Sequence, residues 1–187
     1  DALVREDRPR VSRRVLMAAA ASLLLGTAGA GWLFRRSRGS LPAQVARDYR
    51  RLRSGDLPLE VHARRPADLE AFFRSRGISF RTRVPDLAMM RYRVEGGRDH
   101  TLGQRPSAFF VYSGDGGRTL VCQMYSGRLR HLPPADEVRE HRGFRFQIYR
   151  QQDVTAVFWQ EGETVCVLAG DFGEREVVAL ALEKAML

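Results

Sequence analysis

The sequence predicts an α+β fold: one N-terminal transmembrane helix followed by an antiparallel sheet of about five to seven strands with helices packed on one face. Three observations predict it. Residues 15–34 are uncharged and almost wholly apolar. Short apolar segments separated by glycine-rich turns follow between residues 59 and 169. Amphipathic patterns with the period of a helix precede, interrupt and end this series of segments.

The apolar segment VLMAAAASLLLGTAGAGWLF has the length of a membrane-spanning helix. About 20 apolar residues cross the hydrocarbon core, and Trp32 falls where aromatic side chains favour the water boundary. A buried core helix would carry a polar stripe, which this segment lacks. We therefore predict a cytoplasmic tail at residues 1–14 and a single-pass anchor in the cytoplasmic membrane at residues 15–34, with the C-terminal part periplasmic.

A cleavable export signal is the alternative for the same segment. Residues 12–16 (SRRVL) match a twin-arginine signal, and residues 28–30 (AGA) have the form of a cleavage site. Apolar character continues beyond that site to Phe34, which favours the anchor. Both interpretations place the following domain outside the cytoplasm.

The net charge of +9 does not indicate a nucleic-acid-binding surface. Residues 1–53 carry twelve arginines and four acidic residues, whereas residues 54–187 carry nineteen basic and eighteen acidic residues. A nucleic-acid-binding domain needs a basic face on its fold. Here the excess flanks the apolar segment, where cations favour anionic lipid headgroups. We therefore predict contact with the membrane and no direct contact with nucleic acid.

The connector at residues 35–54 contains an amphipathic helix over Leu41–Ser54, which Gly55 ends. The domain predicted at residues 55–187 begins with a strand over Leu59–His62. A helix follows from Pro66 and is closed by Gly77.

The rest of the domain reads as strands and one final helix. Gly114–Gly117 give the strongest hairpin signal, and Asp171, three residues before Glu174, has the spacing of a helix cap. The predicted strands cover Met89–Val94, Ser107–Tyr112, Thr119–Tyr125, Phe144–Tyr149, Val154–Trp159 and Thr164–Ala169.

The order of these segments resembles the extracytoplasmic part of bacterial transmembrane anti-sigma factors. The resemblance covers the anchor and residues 41–185. It rests on LEVHARRPADLEAFFRSRG, VPDL, YRVEGGR, PSAFFVYSGDGGRTLVCQMY and VTAVFWQEGETVCVLAGDFGEREVVALA. It implies an outer domain that senses an envelope signal, through a protease or a sensor protein, and an inner domain that inhibits an extracytoplasmic-function sigma factor.

The zinc motif that this family often carries before the membrane helix is absent. Both cysteines, Cys122 and Cys166, and all four histidines follow the apolar segment. Because the chain begins at Asp1 rather than Met, the resemblance places the sigma-factor contact in upstream sequence.

No catalytic or cofactor site is predicted. Residues 171–173 (DFG) match the magnesium-binding tripeptide of protein kinases, but a glycine-rich loop and a catalytic-loop motif are missing. We interpret the tripeptide as a helix cap. His62, His100, His131 and His141 have no metal-ligand spacing, and we predict no enzyme, metal or cofactor.

The two cysteines leave three alternatives. Both lie in predicted core strands, where a free thiol packs as a small apolar group. In an oxidising compartment they permit one disulfide. Cys122 and Met124, two residues apart on one strand, could instead supply soft ligands to copper or form a redox sensor.

Three function classes follow. We favour a membrane-anchored regulator of a sigma factor. The main alternative is an anchored or twin-arginine-exported periplasmic binding protein unrelated to sigma factors, and the third is an exported enzyme.

Overall fold

The computed structural model describes residues 39–186. In this part of the chain, no helix combines the length and the apolar character needed to cross a membrane. The tail predicted at residues 1–14 and the spanning helix predicted at residues 15–34 lie outside the described residues.

The described residues contain three α-helices: α1 (Leu41–Ser54), α2 (Pro66–Ser75) and α3 (Glu174–Lys184). The strands are β1 (Val61–His62), β2 (Tyr92–Leu102), β3 (Arg105–Gly114), β4 (Thr119–Ser126), β5 (Glu137–His141), β6 (Phe144–Gln151), β7 (Val154–Glu161) and β8 (Thr164–Gly170). Short 3-10 turns occur at Ala88–Met90, Asp115–Gly117 and Leu129–His131.

The strands form one antiparallel sheet in the order β1-β2-β3-β4-β8-β7-β6-β5. The first four strands make one meander, and the last four make a second meander that returns from the opposite edge. Strands β4 and β8 join the two meanders at the centre of the sheet. We call this ladder the central seam. Residues 127–136 carry the chain from the seam to the far edge.

Helices cover both faces of the sheet. Helices α2 and α3 pack on one face through Leu69, Phe73, Val177, Val178 and Ala181. Helix α1 packs on the other face through Val45, Ala46 and Tyr49. We call these the α2/α3 face and the α1 face. Each has its own buried apolar cluster, so the sheet lies between two helical layers.

This architecture corrects the predicted fold class. A transmembrane helix followed by five to seven strands with helices on one face was expected from the sequence. The sheet instead has eight strands, its helices cover both faces, and none of the described helices is apolar enough to cross a membrane. The physical reason for the two covered faces lies in the central strands. Residues 154–159 of β7 and 165–170 of β8 are buried without alternation, as expected for strands covered on both sides.

Strand β5 was not predicted from the sequence, because four of its five residues are charged or histidine. It lies at the edge of the sheet, where charged side chains discourage pairing with another chain.

Gly96 and Gly97 lie inside β2 rather than in a turn after it. A Cβ atom on Gly97 would lie 2.8 Å from the Phe109 carbonyl oxygen and 3.0 Å from the ring of Phe73. Glycine is therefore needed at this point, where α2 packs closely against the sheet. The pairing of β2 with β3 shifts between Val94 and Gly96, which indicates a β-bulge.

Helix α1 occupies the predicted residues. The Ser40 hydroxyl accepts a hydrogen bond from the Ala43 amide at 3.4 Å, and Gly55 ends the helix with φ of 85°. The Gln44 side chain donates to the Thr101 carbonyl and accepts from the Gly103 amide, at 2.8 and 2.7 Å. Helix α1 is thereby attached to the turn between β2 and β3, and it belongs to the same compact unit as the sheet.

Candidate functional site

The two cysteines lie in the central seam. Cys122 of β4 pairs with Leu168, and Cys166 of β8 pairs with Met124. The cysteines are therefore diagonal neighbours, and both are buried in the cluster on the α2/α3 face. Both thiols are free. The structure thus contains no disulfide between them.

A third sulfur atom adjoins the two thiols. Met124 lies directly opposite Cys166 and shares a face and a strand with Cys122. Directly opposite side chains in an antiparallel ladder have Cβ atoms about 4.5–5.5 Å apart, and diagonal neighbours are about 7–8 Å apart. Three sulfur-bearing side chains are thus grouped on two adjacent strands.

The end of helix α3 contributes a cation to this group. Lys184 is buried, with 5% of its surface exposed, and its Nζ lies 4.5 Å from the centre of the Trp159 ring. Trp159 lies opposite Cys166 in the β7–β8 ladder. The Trp159 indole N–H donates a hydrogen bond of 2.6 Å to Glu161. The sulfur–lysine cluster, as we call it, comprises Cys122, Met124, Trp159, Glu161, Cys166 and Lys184.

The electrostatics of the cluster keep the thiols protonated. Burial raises the pKa of Cys122, and the nearby Lys184 ammonium lowers it by a smaller amount. The pKa of Cys166 is likewise raised by burial, with Lys184 opposing. Burial alone lowers the pKa of Lys184, but the two thiols and Glu161 raise it and the net direction is upward. At neutral pH the metal-free cluster therefore holds an ammonium group beside two neutral thiols.

A cavity of about 240 Å³ reaches the cluster. Met124 and Glu161 line it together with Thr164, Arg81 and Arg83. The cavity thus contacts the methionine and the glutamate of the cluster.

A larger groove of about 1010 Å³ lies where β1 leaves the edge of β2. Val94 and Tyr112 belong to its lining, and the Tyr112 hydroxyl donates to the Pro85 carbonyl at 2.8 Å. The lining also carries groups of both charges, namely His62, Arg64, Arg65, Asp86, Arg93 and Glu95. Arg65 is paired with Asp68 at the start of α2.

The histidines named in the sequence analysis lie apart from one another. His62 lines the groove, and His100 Nε2 lies 2.8 Å from an Asp48 carboxylate oxygen beneath α1. His131 and His141 belong to the Leu129–His131 turn and to β5. Within residues 39–186, no three His, Cys, Asp or Glu side chains are arranged to hold a metal ion.

The helix cap predicted at Asp171 is wrong. Gly173 occupies the position before α3, and no side chain caps that helix. The Asp171 carboxylate instead accepts a hydrogen bond of 2.6 Å from the Tyr49 hydroxyl of α1. Phe172 stacks on Tyr92. Residues 171–173 therefore do not begin a helix. They contact α1 on one face of the sheet and Tyr92 on the other.

Sequence reasoning singled out Cys122, Met124 and Cys166 but missed Lys184 as their neighbour. One signal was available, since Lys184 is the only lysine among 31 lysine and arginine residues. A lysine where the chain otherwise uses arginine points to a site that needs a compact ammonium group.

Comparison with known proteins gives no match to any protein-family model, curated protein or solved structure. The resemblance to anti-sigma factors therefore stays a prediction from the sequence.

Proposed function

We propose that this chain is a membrane-anchored regulator of an extracytoplasmic-function sigma factor, with residues 40–186 as its sensory domain outside the cytoplasmic membrane. The observation that carries the proposal is a sequence order. An uncharged apolar segment of membrane-spanning length is separated only by residues 35–39 from Ser40, where the compact unit begins.

A short link of this kind suits signal transmission. A ligand of the domain can act across one helix only by changing its association, position or exposure to proteolysis, and the differential binding of that ligand supplies the coupling energy. The position of α1 supports this role. It follows the link directly and is attached to the sheet through Gln44, Tyr49 and the Asp48–His100 pair.

The groove beside β1 is the surface to which we assign the signal. Its volume of about 1010 Å³ suits an extended segment of an envelope protein or a protease. Arg64 and Arg93 are exposed there and offer charge-assisted hydrogen bonds to acidic side chains. We assign the sigma-factor contact to sequence outside residues 40–186.

A sigma-dependent reporter tests this function. We compare the intact gene, the same gene without residues 41–187, and the 187-residue chain alone. Loss of the domain should alter the regulation of sigma-factor inhibition without abolishing sigma binding. If neither the intact gene nor its deletion affects any sigma-dependent promoter, the sigma-factor proposal fails. Full silencing by the 187-residue chain alone would contradict our placement of the sigma-factor contact in upstream sequence.

Charge reversal in the groove tests the signal surface separately. Arg64→Glu combined with Arg93→Glu should change reporter induction, whereas Arg145→Glu should not. Arg145 is equally exposed but lies on β6, at the other end of the sheet. Equal induction in both variants would contradict the assignment of the signal to this groove.

A periplasmic binding protein unrelated to sigma factors is the second candidate. The groove and the twin-arginine pattern at residues 12–16 favour it. If this protein is exported by the twin-arginine route, it should be soluble and processed. Whether exported or anchored, it should have no effect on any sigma-dependent reporter.

A further inference from the structure

The sulfur–lysine cluster has a feature that core packing does not require. Cys122, Met124 and Cys166 are three of the few sulfur-bearing residues of the chain, which has two cysteines and five methionines. The pairing of β4 with β8 brings these three side chains to one face of two adjacent strands. Their sulfur atoms can converge on one point because two of the side chains are directly opposite and the third is diagonal to its partner.

We propose that Cys122, Met124 and Cys166 form a binding site for a soft monovalent metal ion, Cu(I), in the central seam. Thiolate and thioether ligands select Cu(I), whereas hard cations prefer oxygen ligands. Three sulfur ligands match this preference. Because the third ligand is a methionine, the site differs in kind from the clusters of His, Cys, Asp and Glu considered above. It also departs from the expectation that the chain binds no metal.

Lys184 supports metal binding by balancing the charge of the site. Each cysteine must release its proton to bind the ion, so one Cu(I) displaces two protons from the cluster. The Lys184 ammonium is buried in the same cluster, with its Nζ 4.5 Å from the centre of the Trp159 ring, so it places a positive charge beside the two cysteines. The ammonium also offsets the negative charge that two thiolates and one monovalent cation leave behind. Lys184 is therefore a charge-balancing residue of this site, not a ligand.

The cavity beside Met124 supplies the path to the site. It has a volume of about 240 Å³ and is lined by Met124, which lies directly opposite Cys166 in the β4–β8 ladder. Glu161 and Thr164 line the same cavity and offer oxygen atoms to an ion on its way in. Met124 is thus the one proposed ligand that lines this cavity.

This site is independent of the proposed sigma-factor regulation. The ligand set depends only on the β4–β8 register, and its test needs no sigma factor.

The experiment is a competitive Cu(I) titration of the full 187-residue chain, reduced, anaerobic and kept soluble in detergent micelles. Bicinchoninate is the competing chelator. We expect one Cu(I) per chain, an ultraviolet thiolate-to-copper charge-transfer band, and three sulfur neighbours in copper X-ray absorption spectra. Weaker binding than to the chelator, or nitrogen and oxygen neighbours, would overturn the site.

Met124→Leu is the decisive variant because it keeps the volume of the side chain and both cysteines. We expect it to weaken binding by at least about tenfold, since loss of an outer partner alone costs that much in many metal sites. Met90→Leu is the matched control, because Met90 packs against the same apolar cluster outside the seam, and it should leave the affinity unchanged. Equal affinity in the two variants would exclude Met124 as a ligand and overturn the three-sulfur site.

Cys122→Ser and Cys166→Ser should each abolish competitive binding. Circular dichroism of each metal-free variant shows whether it is folded. Tight binding by either folded serine variant contradicts the proposal. If a serine variant does not fold, the Met124→Leu and Met90→Leu pair still decides the outcome.

Discussion

Lys184 has an unusual place for a lysine, between a tryptophan ring and two thiols. Its ammonium is held by contact with the Trp159 ring and by the charge of Glu161 at the edge of the cluster. The long apolar stem of the side chain packs with α3 against the sheet, as buried lysine stems do. The Lys184 side chain thus fills the space between α3 and the central seam.

We expect Cys166→Ala to lower the free energy of unfolding by about 1–3 kcal/mol, because it leaves a small cavity in a fully buried position. Cys166→Ser should be no better, since it buries a hydroxyl without a partner. Urea unfolding measures both. Met89→Ala is the control, as Met89 is fully exposed, and its effect should stay within about 0.5 kcal/mol. Reductant should leave the melting temperature of the parent unchanged, and a large drop would reveal a disulfide.

The buried tyrosines predict a loss of stability at alkaline pH. Burial raises the pKa of Tyr149 to about 12, and the Asp136 carboxylate adds to the rise. Its hydroxyl donates to the Pro133 carbonyl at 2.7 Å. Because the folded pKa lies above the unfolded value of about 10, the contribution is complete below pH 10 and is lost as the pH rises towards 12. Urea unfolding between about pH 9 and pH 12 should show the decline, and Tyr149→Phe should lessen it. A flat profile would contradict the prediction.

At the scale of elements, Gly97 decides how closely α2 can approach β2. We expect Gly97→Ala to cost about 1–3 kcal/mol, because the added methyl group would collide with the Phe109 carbonyl and the Phe73 ring. Gly173→Ala is the matched control, since a Cβ there meets no atom within 4 Å and the backbone needs no positive φ. Differential scanning calorimetry compares the two variants. Equal melting temperatures would show that α2 can move away from the sheet without cost.

Helix α1, helix α2 and the hairpin between β3 and β4 could be predicted from local signals. The sequence shows proline or serine at the start of the two helices, glycine at their ends and a regular apolar period between. Strand β5 could not, because its charged residues give no apolar alternation. There is a physical reason why Gly96 and Gly97 were assigned to a turn although they lie inside β2. A glycine needed for close approach looks in sequence like a glycine needed for a turn.

At the scale of the whole molecule, we predict that the domain is outside the cytoplasm and stays attached to the membrane. The reason is the uncharged segment of residues 15–34, which continues past the cleavage pattern at residues 28–30. Fractionation of expressing bacteria and protease treatment of spheroplasts measure this. A soluble periplasmic form that begins near Gly31 would defeat the anchor and favour an export signal.

The coverage of both faces of the sheet by helices could be predicted only in part. Continuous apolar runs such as residues 154–159 indicate strands covered on both faces, so the second helical layer was readable in principle. The pairing of β4 with β8 was not, because strand order depends on long-range packing rather than on local pattern. The candidate site depends on that pairing. The sequence therefore identifies Cys122, Met124 and Cys166 as residues of interest, but only the fold brings them together with Lys184.

The central seam also bears on how the chain is made. A ribosome releases β4 before residues 127–163 exist, so the first meander must wait for its partner strand β8. During that interval the open edge of β4 carries the apolar run LVC and the pair Met124 and Tyr125. Open apolar edges invite pairing with a second nascent chain. We expect the interval between the synthesis of β4 and β8 to be the stage at which this protein is most in need of a chaperone.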